Sequence, residues 1–507
     1  MTRPALKIWL GIDVGTSGLK ALAVDESGKA LASSLVEYGM QTKKPGWAEQ
    51  DPEQWWAALK KALAMLKKKI PSLPDALAGI GLTGQMHSSV FLDANCRVLR
   101  PAILWCDQRP VRECEELTAR LGFDRLLSLT LNRALTGFTL PKLLWLKNHE
   151  PKIFQKTRHL LVCKDYIRFR LTSEFATEVS DASGTLMFDV RNRVWSRELL
   201  NELEIDPALL PKCLESPEVS GRLTKAAAAE LGLKPGAPSV SVVGGGGDQA
   251  AGAVGNGIVE QGAALISVGT SGVVFAAHPK PLIDPKARLH SFCHAAPGLW
   301  HSMGVMLSAG GSLRWLRQLL RELNPGIDYP QLTRLARKSP PGSHGLLFLP
   351  YLTGERTPHF DPFARGVFFG ISLKTDLSSL ARAVIEGVSF GLKDSVEIMK
   401  QCHIKIDKFY LSGGGARSKF WSQLLADLLQ ARIFRLKVDE GPAFGAALLA
   451  MVGTGRFPDV RSAAQQTLKL KDSFEPNPES AARFQELYQF WKKLYPQTAE
   501  LFKQAAE

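Results

Sequence analysis

Two short apolar runs, residues 8–12 and 19–24, flank the polar turn Val14-Gly15-Thr16-Ser17-Gly18 and predict a β-hairpin. The same five letters return half a chain later as Val268-Gly269-Thr270-Ser271-Gly272, between apolar runs at 264–268 and 273–277. A repeat at that spacing predicts two copies of one structural unit, each carrying the same tight turn. In the first copy, Glu26-Ser27-Gly28 turns the chain into a third strand that reaches Tyr38. Asp51-Pro52-Glu53 then opens a helix, with Asp51 as cap, Pro52 at the first helical position and Trp55, Leu59, Leu63 and Leu66 on one face. Strands precede helices in both halves, which predicts an α/β architecture. The cluster Lys234-Pro235-Gly236-Ala237-Pro238, ahead of an apolar strand at 240–243, marks the division between the halves. Residues 479–507 predict one or two helices broken at Pro496. The expected units are therefore 1–237, 238–460, and a helical tail, 461–507, packing across the junction.

Composition narrows the function classes. At 507 residues, with 45% hydrophobic and 22% charged positions, the chain has the make-up of a multidomain globular protein. The 63 Lys and Arg against 49 Asp and Glu leave a net charge of +14. The lysines fall on helical faces, as at Lys60, Lys61, Lys67, Lys68 and Lys69, with no basic arm, zinc-finger spacing or RNA-binding signature, so no nucleic-acid partner is expected. Seven cysteines without a CxxC pair predict reduced thiols and a cytoplasmic setting. The amino terminus carries Arg3 and Lys7 but meets Asp13 too soon for a signal peptide, and no run of 18 apolar residues predicts a membrane span. His290, Cys293 and His294 lack a fourth metal ligand.

The candidate chemistry sits at glycine clusters. Four glycines, 244–247, follow an apolar strand and end in Asp248-Gln249 before the small-residue segment 250–253. Without Cβ atoms such a loop lets a substrate approach the backbone, and it sets one carboxylate at a strand-to-helix junction. Asp248 is there as a general base or as a helix cap, two roles the local sequence leaves open. The two GTSG turns offer backbone amides and hydroxyls suited to phosphate, although no GxxxxGK[ST] loop exists in the chain. Gly413-Gly414-Gly415 follows the apolar run 409–411 and precedes a helix starting near Ser418, a place for a nucleotide against the backbone.

Together these features resemble the FGGY carbohydrate kinases of the actin/Hsp70/sugar-kinase superfamily. Gly137, Thr139, Lys142, Trp145, Asn148 and His149 match one family signature. A second runs from Gly366 through Gly370-Ile371 to Ala383-Val384-Ile385-Glu386, with Ser379 where that pattern carries an acidic, amide or histidine side chain. Within the family, Gly84-Gln85-Met86-His87, Trp105-Cys106-Asp107-Gln108-Arg109, Asp181-Ala182-Ser183-Gly184-Thr185 and Gly354-Glu355-Arg356-Thr357-Pro358 are most similar to the branch acting on ketopentoses, D-xylulose first. Enzymes acting on ribulose or glycerol are the alternatives. Chaperones and repressors of related fold lack the sugar string or need a helix-turn-helix appendage that only about seven residues ahead of the first strand cannot supply.

The resemblance implies two actin-like (ribonuclease H-like) α/β domains flanking a central cleft, ATP and Mg²⁺ as cofactors, and a small sugar as acceptor. It implies Asp248 as the base, Asp13 holding Mg²⁺ through water, and sugar contacts from Met86, His87, Trp105, Asp107, Asp248 and Gln249. Nucleotide contacts are implied for Gly15, Thr16, Ser17, Lys20, Gly269, Thr270, Gly311, Gly414, Gly415 and Ser418. A homodimer is compatible with it.

Overall fold

The computed structural model describes residues 6–234, 240–437 and 440–505, so the Pro/Gly cluster at 235–238 lies outside the described residues. The first hairpin forms as expected: β1 (Ile8–Val14) pairs antiparallel with β2 (Gly18–Asp25), which pairs with β3 (Ala30–Glu37). β4 (Leu77–Gly84) lies parallel to β1 on its other side. β6 (Ser241–Val243) lies parallel to β4, and β5 (Val219–Arg222) closes the sheet antiparallel to β6. The second sheet repeats this plan. β7 (Gly262–Val268) and β8 (Gly272–His278) form the second hairpin, after which come β9 (His290–Cys293), β10 (Trp300–Met306), β11 (Ile406–Ser412), β12 (Arg432–Leu436) and β13 (Leu470–Phe474).

The strand orders are β5-β6-β4-β1-β2-β3 and β9-β10-β8-β7-β11-β12-β13. Aligned on the hairpins, six strands correspond one to one, and every shared neighbour pair has the same direction: antiparallel at β1/β2 and β7/β8, parallel at β1/β4 and β7/β11. The repeated pentapeptide is thus the visible trace of a duplicated ribonuclease H-like unit.

Among the helices of the described residues are α1 (Pro52–Lys69), α2 (Cys163–Thr172), α3 (Asp248–Gly255), α4 (Gly310–Leu323), α5 (Lys419–Leu429), α6 (Gly441–Gly453), α7 (Pro478–Trp491) and α8 (Leu494–Gln504). Asp51 caps α1 through the Glu53 amide, and the expected face of Trp55, Leu59, Leu63 and Leu66 is buried. The two units interlock: α6, from the second half, lies flush on β1 and β4 of the first sheet, where Gly11 and Gly81 leave no gap to its backbone. In turn α3 places Ala253 in an apolar cluster with Leu265 and Phe275 of the second sheet.

One expected boundary moves. β6 belongs to the first sheet, because its register partner is β4, so the first unit runs past 237 to the glycine loop at 244–247. The tail divides: α7 and α8 dock on the second half, where Trp491 donates to the Phe348 carbonyl, Tyr488 to Asp394 and Tyr495 to Asp361, whereas Ala463 and Ala464 share an apolar cluster with Trp9, Leu22 and Val24 of the first sheet and Thr467 lies against Gly28. The break between α7 and α8 falls at Lys492-Lys493, and Pro496 sits in the first turn of α8, where its missing amide hydrogen costs no bond. Residues of 461–507 also supply β13, an edge strand of the second sheet. All seven cysteines are free thiols, and among the described residues no helix is long and apolar enough to cross a membrane.

Candidate active site

A cavity of about 690 Å³ opens between the halves, walled by Thr16, Met86, His87 and Trp105 from the first, by Asp248 and Gln249 where the glycine loop leaves the first sheet, and by Ser271, His290 and Glu355 from the second. The parallel strand β4 delivers one wall. Its end runs straight into Gln85, whose amide nitrogen donates to the Val14 carbonyl at 3.0 Å, fixing the string 84–87 beside the β1 turn. Thr16 joins the same brace: its hydroxyl donates to Gln85 at 3.2 Å and accepts from the Trp105 indole at 2.9 Å.

His87 is held in the left-handed region at φ 68°, which costs energy for a side chain with a Cβ and persists only under outside restraint. Lys142 of the first family signature provides it, donating to the carbonyls of His87 at 2.9 Å and Gly137 at 2.7 Å. Burial without a carboxylate partner pushes Lys142 down to about 7. The His87 Nδ1 lies 2.7 Å from the Gly184 carbonyl. A carbonyl only accepts, so Nδ1 carries the hydrogen and Nε2 is left as an acceptor. Burial, followed by the nearby Lys142 charge, holds the ring neutral.

Asp248 is the first residue of α3, while Gly247 takes the cap position without a side-chain bond. The carboxylate is therefore not spent on capping. Its Oδ1 accepts from the Gln249 amide at 2.9 Å, and burial pushes it up to about 6. Met86 lies directly beneath the loop, since a Cβ on Gly247 would stand 2.8 Å from its Cγ. Asp13, near the end of β1, has a buried Oδ1 without a hydrogen-bond partner. Burial, then the charge of Asp248, raise Asp13 to about 7 against the pull of Lys20. The two acids therefore sense each other, while Lys20 pairs with Glu440 at 2.5 Å.

Asp107 does not reach the cavity. Arg109 Nε donates to its Oδ1 at 2.8 Å and the Ala48 amide to its Oδ2 at 2.6 Å, so both oxygens are taken. Ser418 is likewise engaged, capping α5 through the Trp421 amide at 3.2 Å. The other nucleotide candidates of the second half converge at the end of β7. Gly310 and Gly311 donate to the carbonyls of Gly269 and Thr270 at 2.8 and 3.0 Å, and a Cβ on Gly415 would stand 2.7 Å from the Val268 side chain. Gly15 and Ser17 form the matching tip in the first half, with the Tyr38 hydroxyl donating to the Gly15 carbonyl at 2.7 Å. Sequence reasoning left Arg133, Phe138, Phe292, Glu355 and Arg356 without roles, yet all line the cavity. Glu355 accepts from the Leu307 and Arg356 amides at 2.9 and 2.7 Å, and burial pushes it up to about 8. The string 354–358 was the available signal for it.

Residues 8–255 match the N-terminal domain model of the FGGY family of carbohydrate kinases, and 264–454 match its C-terminal domain model. A Lactococcus lactis protein named xylulose kinase is 42% identical over 98% of both chains. An Escherichia coli protein of the same name is 42% identical over 97% of this chain and all of its own. A crystal structure of a Brucella ovis protein named xyloylose kinase superposes with a TM-score of 0.91 at 38% identity, covering 97% of this chain and 100% of the other.

Proposed function

Because the chain belongs to the FGGY family of carbohydrate kinases, we propose that it transfers the γ-phosphoryl group of ATP to the primary 5-hydroxyl of D-xylulose. The observation that carries this reading is the cavity wall itself, where Asp248, at the end of the glycine loop joined to the first sheet, and the Met86-His87 string line one cavity with residues of the second half. Relatives that align over nearly their full length and are named for xylulose support the choice of sugar.

Each residue has a definite task. Asp248 accepts the proton of the attacking hydroxyl, a role suited to a carboxylate raised toward neutrality. His87 Nε2 accepts from another sugar hydroxyl, Met86 covers an apolar face, and Trp105 and Gln249 complete the enclosure. The Thr16 and Thr270 turns receive phosphate oxygens from opposite sides. An unpartnered Asp13 oxygen beside a second carboxylate suits a divalent cation, and Asp13 would hold Mg²⁺ through water. Such an ion neutralises charge on the phosphate chain.

ADP release measured with D-xylulose, L- and D-ribulose, glycerol, gluconate and fuculose tests the proposal; D-xylulose gives the highest kcat/KM if it is right, and a higher value for any other sugar refutes it. His87→Ala raises KM for D-xylulose at least tenfold while leaving KM for ATP within about twofold, as loss of a buried hydrogen-bond acceptor predicts. Initial rates over both substrates check this, and equal changes in the two KM values contradict it. For the nucleotide side, a Cβ on Gly414 would meet nothing closer than 3.9 Å. Gly414→Ala therefore leaves the melting temperature unchanged but raises KM for ATP about tenfold or more, because a nucleotide lying on that loop meets the new side chain. An unchanged KM for ATP removes the loop from the nucleotide site.

A further inference from the structure

Behind the glycine loop lies a cluster of charged residues that the mechanism above does not use. Lys164, Asp165 and Arg168 on α2 meet Glu178 and Asp181 there, all fully buried. Lys164 Nζ stands 2.7 Å from Asp165, 3.2 Å from Asp181 and 3.4 Å from Glu178. Taking five ionisable groups out of water is costly, and apolar packing of similar volume often serves stability as well. The cluster therefore calls for a purpose other than stability, and its outward hydrogen bonds supply one.

Those bonds end on the loop that carries Asp248. At one end Arg168 donates to the Gly244 carbonyl. At the other, the Gly247 amide donates to the Ser180 hydroxyl at 3.0 Å, and that hydroxyl donates to Glu178 at 2.9 Å. Glu178 is itself fixed, accepting from the Ser180 and Asp181 amides at 2.8 and 2.9 Å and from the Ser216 hydroxyl at 2.7 Å. Four consecutive glycines have little conformational preference of their own, so the loop takes its shape from such fasteners. Glycine is required there, since a Cβ on Gly245, at φ 74°, would lie 1.9 Å from the Leu82 carbonyl oxygen. The Asp248 side chain accepts only from the neighbouring residue, so its direction follows the loop backbone.

We propose that Ser180, oriented by Glu178, is a positioning residue that aims Asp248 at the sugar hydroxyl by fixing the Gly247 peptide. The proposal rests on the reading of Asp248 as the base. Misplacing a reacting group by about 1 Å can cost about 10²-fold in rate.

A double-mutant cycle in the full-length enzyme, with D-xylulose and ATP, tests it. Ser180→Ala lowers kcat about 10- to 100-fold, with both KM values within threefold and the melting curve retained. In an Asp248→Asn background the same substitution changes kcat by less than twofold, because nothing remains to be aimed. Equal losses in both backgrounds, or kcat within twofold of wild type for Ser180→Ala alone, overturn the proposal. Full activity of Asp248→Asn by itself instead defeats the reading of the base, a separable result. Should Ser180→Ala fail to fold, Glu178→Gln, which keeps size and an acceptor oxygen, is carried through the same cycle with the same expectations.

Discussion

Asp248→Asn lowers kcat by about 10² to 10⁴ while KM for the sugar stays within about threefold, the range expected when a positioned general base is removed. Asparagine keeps the shape and the bond to the Gln249 amide but does not take up a proton. The loss has a pH signature. Burial sets Asp248 at about 6, and the working form is the ionised one. Wild-type kcat/KM therefore falls about tenfold per pH unit below pH 6 and levels off above it. In Asp248→Asn the limb set by Asp248 disappears, and only the ionisation of Asp13, which the Asp248 charge no longer raises, remains. Rate profiles between pH 4.5 and 8 on both proteins read out both effects, and activity of the variant within threefold of wild type removes Asp248 from the role.

Gly81→Ala destabilises the protein by about 4 kcal/mol or more, enough to abolish soluble expression or shift the unfolding midpoint by many degrees. The reason is backbone against backbone. A Cβ at Gly81 in β4 would stand 1.8 Å from the Ala446 carbonyl oxygen and 2.6 Å from its carbon, in the middle of α6. Gly11 meets Ala443 in the same way at 1.7 Å, and Gly445 meets Ala251 of α3 at 1.8 Å. No side chain is present at these points to swing aside, so relief requires lifting α6 off the first sheet and with it the interlock between the halves. Gly39→Ala is the matched control, with nothing within 4 Å of its added Cβ, and it changes stability by no more than about 0.5 kcal/mol. Urea unfolding of the two variants checks the pair; a wild-type midpoint for Gly81→Ala contradicts the packing account.

The parts of this protein written in local sequence were legible. The repeated pentapeptide, the Asp51-Pro52 helix start and the glycine turns each depend on residues next to one another, and each formed where the pattern put it. What escaped was non-local. The segment 240–243 reads as an apolar strand, but only pairing with β4, more than 150 residues earlier, assigns it to the first sheet. Pro496 looked like a breaker because the sequence does not show that α8 begins two residues before it. Asp107 carried the right chemistry for a sugar contact, yet Arg109, two residues on, folds back and consumes it. Lys142 was visible as a signature residue, whereas its work, holding His87 in a left-handed conformation, required both chain segments in place. The fastening of the glycine loop by Ser180 and Glu178 is of the same kind.

The central claim is that this cavity directs the γ-phosphoryl group of ATP onto the hydroxyl oxygen at C5 of a ketopentose. Proton-decoupled ³¹P NMR of the product formed from D-[5-¹³C]xylulose, ATP and Mg²⁺ tests it in one measurement. The account predicts a new phosphomonoester resonance split by coupling to the labelled carbon, growing in step with ADP; an unsplit phosphomonoester signal, or inorganic phosphate alone, would contradict it.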